Sequence, residues 1–243
     1  MAKILFLHGL AGRPGGQRVA ALCERGHDVY APAFPFSEAK IAGLTLRLVE
    51  QWRRDGCVAD PFPRWTAQAQ KAYDEFDPDL VVGIDLGAAL TMRINSGDTA
   101  LVLVAPPWTG RVNVGAVVDQ IAPPRLRGTR EWLGPLLRYL TVALVTAPAI
   151  KAASVLIHSP ADDVTDVEDS FRLLRGNPAL SNAERACIAS LERQLSERGH
   201  RPLFGRLVLA GNSHACDCAE GLKALADAAD AALAVTAREL VLA

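Results

Sequence analysis

The chain has 243 residues, half of them hydrophobic and 22% charged, enough apolar side chain for one domain with a large core. Its 26 Lys and Arg balance 27 Asp and Glu to a formal net charge of -1, which argues against a nucleic-acid binder or a polybasic membrane protein. No apolar run reaches the roughly 18–20 residues of a membrane helix; the nearest, Tyr139 to Ile150, is shorter and carries Thr141, Thr146 and Pro148.

The first element is the apolar run Ile4 to Leu7, which reads as a buried strand closed by His8-Gly9. It is too short for the core of a secretory signal. A loop rich in glycine follows, with Gly9, Gly12, Gly15 and Gly16. Gln17 to Arg25 has helical spacing, and Gly26 is its expected C-cap. Asp28 to Ala31 reads as a strand ended by Pro32. Strand, helix and strand within about 30 residues make a βαβ unit, so a parallel sheet is expected.

Ala39 to Trp52 reads as a helix. Cys57 to Arg64 is expected to be broken by Pro61 and Pro63, with the next helix at Trp65 to Phe76. Leu80 to Gly83 is a short buried strand that runs into a helix at Gly87 to Ile94, and Ala100 to Val104 is another strand. Residues 106–153 leave this alternation. They read as an insertion, with a helical stretch near Thr129 to Leu144, that forms a small lid within a single domain spanning 1–243. Strand Ser154 to His158 follows, then helices Val167 to Leu174 and Asn182 to Arg198. Strand Leu207 to Ala210 and an alanine-rich helix, Ala219 to Leu240, complete the chain.

Three segments carry chemistry. The strand-to-helix junction reads Gly83-Ile84-Asp85-Leu86-Gly87, a turn so tight that side chains on either side of the Asp would collide with strand and helix. It would hold Asp85 at a helix start, where exposed amides favour an anion. Asp162 lies just past the fifth strand, and Gly211-Asn212-Ser213-His214 follows the sixth. An isolated Asp in such a junction is often a plain helix cap. Here two carboxylates and a histidine each follow a strand, which weakens that plain reading.

Taken together, these segments resemble the α/β-hydrolase family, whose nucleophile elbow reads Gly-x-Ser-x-Gly and whose triad runs nucleophile, acid, histidine. The resemblance implies an α/β fold, a mostly parallel sheet with helices on both faces. It implies Asp85 as nucleophile, Asp162 as acid and His214 as base, with the backbone N–H groups of Leu10 and Leu86 as the oxyanion hole. The Asp in place of Ser is similar to the members that act on epoxides and alkyl halides, since a carboxylate attacking an ester would form a mixed anhydride. Those members usually follow the Asp with Trp, where this chain has Leu86. Tyr139 is the insertion's lone tyrosine and a candidate proton donor to an epoxide oxygen. Trp108 and Trp132 are candidate halide ligands. His8 is read chiefly as shaping its loop and secondly as a substrate contact.

The sequence thus predicts a hydrolase of a small electrophilic molecule, of the epoxide, halide or ester and lactone classes. Asp85 would act either covalently or as a general base. The alternative is a relative that binds a small ligand or partner without catalysis. No cofactor or metal is expected, because Cys216 and Cys218 have no second pair of ligands to complete a zinc site. The odd count of five cysteines points to reduced thiols and a cytoplasmic location.

Overall fold

The computed structural model describes residues 1–55, 60–107, 112–113, 115–117, 154–159, 161–165, 206–209 and 217–242. The helices expected near 129–144, 167–174 and 182–198 lie outside these. The described elements are strands β1 (Lys3–Leu7), β2 (Asp28–Tyr30), β3 (Leu80–Ile84), β4 (Ala100–Val104), β5 (Ser154–His158) and β6 (Arg206–Leu209). The helices are α1 (Gln17–Glu24), α2 (Glu38–Asp55), α3 (Phe62–Phe76), α4 (Leu86–Thr91) and α5 (Ala219–Leu242).

The strands form one sheet in the order β2-β1-β3-β4-β5-β6, and every pairing is parallel. A parallel sheet needs cover on both faces, and the strand residues divide accordingly. Leu5, Leu7, Val81, Leu101, Leu103 and Leu156 point to the face covered by α3 and α4, where they meet Trp65, Ala69, Ala72 and Leu90. Their neighbours Ile4, Phe6, Val82, Val102 and Ile157 point to the opposite face, against Leu22 of α1 and Leu225, Ala228, Ala229 and Ala232 of α5. The alanines of α5 are small, which lets the helix lie close across β3, β4 and β5. Truncating a fully buried leucine such as Leu225 in this interface would cost about 2–5 kcal/mol.

Several local expectations hold. Gly26 follows α1 with φ +81°, a left-handed conformation that glycine adopts without cost, and its N–H reaches the Cys23 carbonyl at 2.9 Å. The start of α3 differs. Pro61 and Pro63 do not break the chain there. The helix begins at Phe62, with Pro63 in its first turn and Pro61 as the N-cap. Amides in a first turn have no helical partner, so a proline loses nothing by lacking one. The free Phe62 N–H is satisfied by the Asp60 carboxylate at 2.9 Å.

The strand order positions the site. From β1 the chain crosses to β2 on one side, then returns to β3 on the other. The crevice at the carboxyl ends of β1 and β3 is therefore the point where the sheet reverses direction, the place where open α/β sheets bind ligands. Leu7 and Gly83 are register partners at that edge, so the loops after them leave side by side. No helix among the described residues is long and apolar enough to cross a membrane.

Candidate active site

Asp85 sits in the turn between β3 and α4 with φ +50° and ψ -117°. A non-glycine residue held in such a conformation costs on the order of 1–3 kcal/mol and persists only where its surroundings enforce it. Here the Asp85 N–H donates to the Val104 carbonyl at 2.8 Å, and its own carbonyl accepts from the Ala89 N–H at 3.1 Å. The flanking glycines are steric necessities. A Cβ on Gly83 would lie 2.3 Å from Thr91 Oγ1 and 2.7 Å from Ala88 Cα. A Cβ on Gly87 would lie 1.9 Å from the Leu7 carbonyl oxygen. The small residues around Asp85 thus let α4 rest directly on the end of β1.

The Asp85 side chain makes no capping bond to α4. Its Oδ2 instead accepts the backbone N–H of Leu10, across the crevice, at 2.9 Å. Gly9 makes that approach feasible, because a Cβ there would stand 2.9 Å from the Asp85 Cβ and 3.1 Å from Oδ2. Leu86 opens α4 and is buried beside it. Two further residues with left-handed backbones surround the site. Ala11 (φ +54°) donates its N–H to the Phe36 carbonyl, and Ala105 (φ +44°) donates to the Ile157 carbonyl, both at 2.9 Å.

His8 stands behind the loop that carries Leu10. It is 1% exposed, edge-on to the rings of Phe34 and Phe36. Its Nε2 accepts the Phe34 N–H at 3.3 Å, and its Nδ1 faces the Gly9 carbonyl at 2.9 Å. Those partners place the proton on Nδ1. Burial holds the imidazole below its ordinary pKa, against a smaller upward pull from the Gly9 carbonyl. This neutral, enclosed ring links the Gly9 carbonyl to the Phe34 N–H.

Asp162 follows β5. Its side chain is 1% exposed and collects four donors from the described residues. The Val164 and Thr165 N–H groups reach Oδ1 at 2.8 and 2.9 Å, and the Thr165 hydroxyl reaches Oδ2 at 2.9 Å. The fourth is Nε2 of the fully buried His158, 3.1 Å from Oδ2. Asp163 is exposed and carries no such set. The start of the expected insertion is sewn to this loop. Val112 bridges Thr165 in antiparallel fashion, and the Asn113 N–H and side-chain amide reach the Val164 and Asp163 carbonyls at 2.8 and 3.0 Å. Val117, soon after, is part of the core.

His214, Trp108, Trp132 and Tyr139 lie outside the described residues. His158, Thr165 and Asn113 were not among the residues singled out for chemistry. The one local hint was a histidine at a strand end, four residues before Asp162. Among the described residues no group of three His, Cys, Asp or Glu side chains is placed to hold a metal. Cys218 accepts the Gly221 N–H at the start of α5.

Solved structures similar to this chain include a protein from Agrobacterium vitis S4, classed as a hydrolase. It matches at a TM-score of 0.53 and 16% identity, over 95% of this chain and 87% of that one. A protein from Xanthomonas campestris pv. campestris, classed as a hydrolase of the alpha/beta superfamily, matches at a TM-score of 0.51 and 15% identity, over 96% and 98%. With the sheet order and the strained turn after β3, these likenesses show that the chain has the α/β-hydrolase fold. No protein-family profile and no curated protein sequence matches it.

Proposed function

We propose that this protein is a hydrolase in which Asp85 attacks an sp³ carbon bearing a strained oxygen or a halide. His214 serves as base for the second step, and Asp162 supports His214. The observation that carries this reading is the 2.9 Å bond from the Leu10 N–H to Asp85 Oδ2. In an esterase the oxyanion hole waits for the substrate's carbonyl oxygen. Here the resting enzyme commits that donor to its own carboxylate. Oδ2 is held in the hole, and the attack is assigned to Oδ1.

The chemistry follows from that orientation. Oδ1 forms a bond to carbon as the carbon–halogen or carbon–oxygen bond breaks, giving an alkyl ester on Asp85. A halide leaves as the anion, with Trp108 and Trp132 as its candidate donors, whereas an epoxide oxygen takes a proton, for which Tyr139 is the candidate. Oδ2 is now the ester carbonyl oxygen, already against Leu10. His214 takes a proton from water, and the water oxygen adds to the Asp85 carboxyl carbon. The N–H groups of Leu10 and Leu86 receive the developing charge on Oδ2. Collapse expels the alcohol, which takes its proton from His214, and the carboxyl group left on Asp85 releases its remaining proton to solvent, which restores the carboxylate.

Residues 106–153 are assigned the role of cover over the cleft, setting the size of a small-molecule substrate. The cysteine usage supports a cytoplasmic location. The test is adduct trapping. Wild type and His214→Gln are incubated with styrene oxide, bromobutane, chloroacetate, nitrophenyl acetate and butyrolactone. His214→Gln should retain an added alkyl mass on the peptide containing Asp85, and Asp85→Asn should retain none. Turnover of the ester or lactone with no adduct would contradict covalent attack and favour Asp85 as a general base. Inertness toward the whole panel would favour a ligand-binding role.

A further inference from the structure

We propose that His158 is a positioning residue for the hydrolytic step, fixing the Asp162 carboxylate that supports the base. This rests on the assignment of Asp162 and His214 given above.

His158 ends β5 and is 0% exposed. Its backbone is in register with Leu209, the last residue of β6, so it stands where the two strands present their carboxyl ends. Nε2 lies 3.1 Å from Asp162 Oδ2 and 3.2 Å from the Thr165 carbonyl oxygen. Both are acceptors, so Nε2 must carry a hydrogen, shared between them. That is the tautomer opposite to the one His8 adopts. The same Oδ2 accepts the Thr165 hydroxyl, while Oδ1 is taken by two amides.

These contacts have unequal reach. The amide and hydroxyl donors all belong to Val164 and Thr165, within three residues of Asp162, and would travel with the loop if it shifted. His158 alone in this set is part of the sheet. It therefore ties the carboxylate to the rigid scaffold, and an acid must keep a fixed direction to hold a base in one tautomer and orientation. A buried histidine against a buried carboxylate is costly unless the geometry is well satisfied, and here both partners are enclosed and bonded.

The test separates the two chemical steps in full-length protein. His158→Leu keeps the bulk and removes the donor, and His158→Gln restores an N–H near the Nε2 position. With styrene oxide and bromobutane, the first-turnover alkylation of Asp85 should stay within about threefold of wild type in both variants. Hydrolysis of the adduct should slow by on the order of tenfold or more in His158→Leu and recover most of that loss in His158→Gln. Equal slowing of both steps, or of neither, would overturn the proposal. A second readout needs no turnover. In histidine-selective ¹⁵N NMR, His214 should titrate at lower pH in His158→Leu than in wild type, and return in His158→Gln. An unmoved His214 titration would also overturn it. If no probe labels Asp85 in wild type, the nucleophile assignment fails alone, and the NMR titration still decides the role of His158.

Discussion

Gly87→Ala makes the most demanding test of how the site is built. The added Cβ would stand 1.9 Å from the Leu7 carbonyl oxygen, 2.5 Å from the Leu7 carbonyl carbon and 2.7 Å from the His8 carbonyl oxygen. Ordinary contact begins near 3.4 Å, so α4 and the end of β1 must separate by about 1.5 Å, all of it against backbone that cannot rotate away. Overpacking of this kind typically costs about 1–3 kcal/mol, and the loss here should lie at or above the top of that range. The same displacement would stretch the 2.9 Å Leu10–Asp85 bond past hydrogen-bonding distance. Urea unfolding followed by circular dichroism should show a lowered midpoint at unchanged slope, and any Asp85 alkylation should fall with it. Gly43→Ala is the control. Gly43 lies in α2 with open space where its Cβ would be, so the change should stabilise by about 0.5–1 kcal/mol. A Gly87→Ala protein within 1 kcal/mol of wild type and fully active would refute the steric argument.

Two other outcomes follow from named contacts. Burial lowers the His8 pKa below its usual 6.5, so the unfolded chain binds a proton at His8 before the native chain does. The associated stability is complete above about pH 6.5 and is lost as pH falls from there toward the native pKa. Unfolding free energies measured between pH 7.5 and pH 5.5 should therefore fall less steeply for His8→Gln than for wild type, and parallel slopes would contradict a neutral buried imidazole. Asn113 caps the turn that follows it, with Oδ1 accepting from Gly115 and Ala116 at 3.1 and 3.3 Å. Asn113→Ala should cost about 1 kcal/mol and speed amide exchange at Val164 and Thr165, whereas unchanged exchange there would sever the proposed link between this segment and the Asp162 loop.

The strands were legible because each is a short apolar run closed by glycine, proline or a polar residue. The described ones fall within a residue or so of the expected limits. Gly83 and Gly87 announced the turn around Asp85, since only a tight junction requires both. The start of α3 differs from the pattern because Pro61 and Pro63 mark a break by composition, whereas the first turn of a helix is where proline is tolerated. The direction of the Asp85 carboxylate could not be read. It depends on an amide 75 residues away, brought close only when β1 and β3 pair. Asn113 was silent for the same reason, as its partner Asp163 is 50 residues distant. His158 needed a side-chain direction that no spacing rule supplies. The Gly-x-Asp-x-Gly pattern therefore marked the tight turn around Asp85, whereas what that residue faces emerged only from tertiary packing.

The central claim, that Asp85 attacks carbon, is tested most directly by isotope in a single turnover. Enzyme in excess over styrene oxide or bromobutane is allowed one turnover in ¹⁸O water. If Asp85 is the nucleophile, the product oxygen comes from its carboxylate and water replaces it. The label should then appear on the peptide containing Asp85 and be absent from the product alcohol or diol. Label in the product of that first turnover, with an unlabelled Asp85 peptide, would contradict covalent attack.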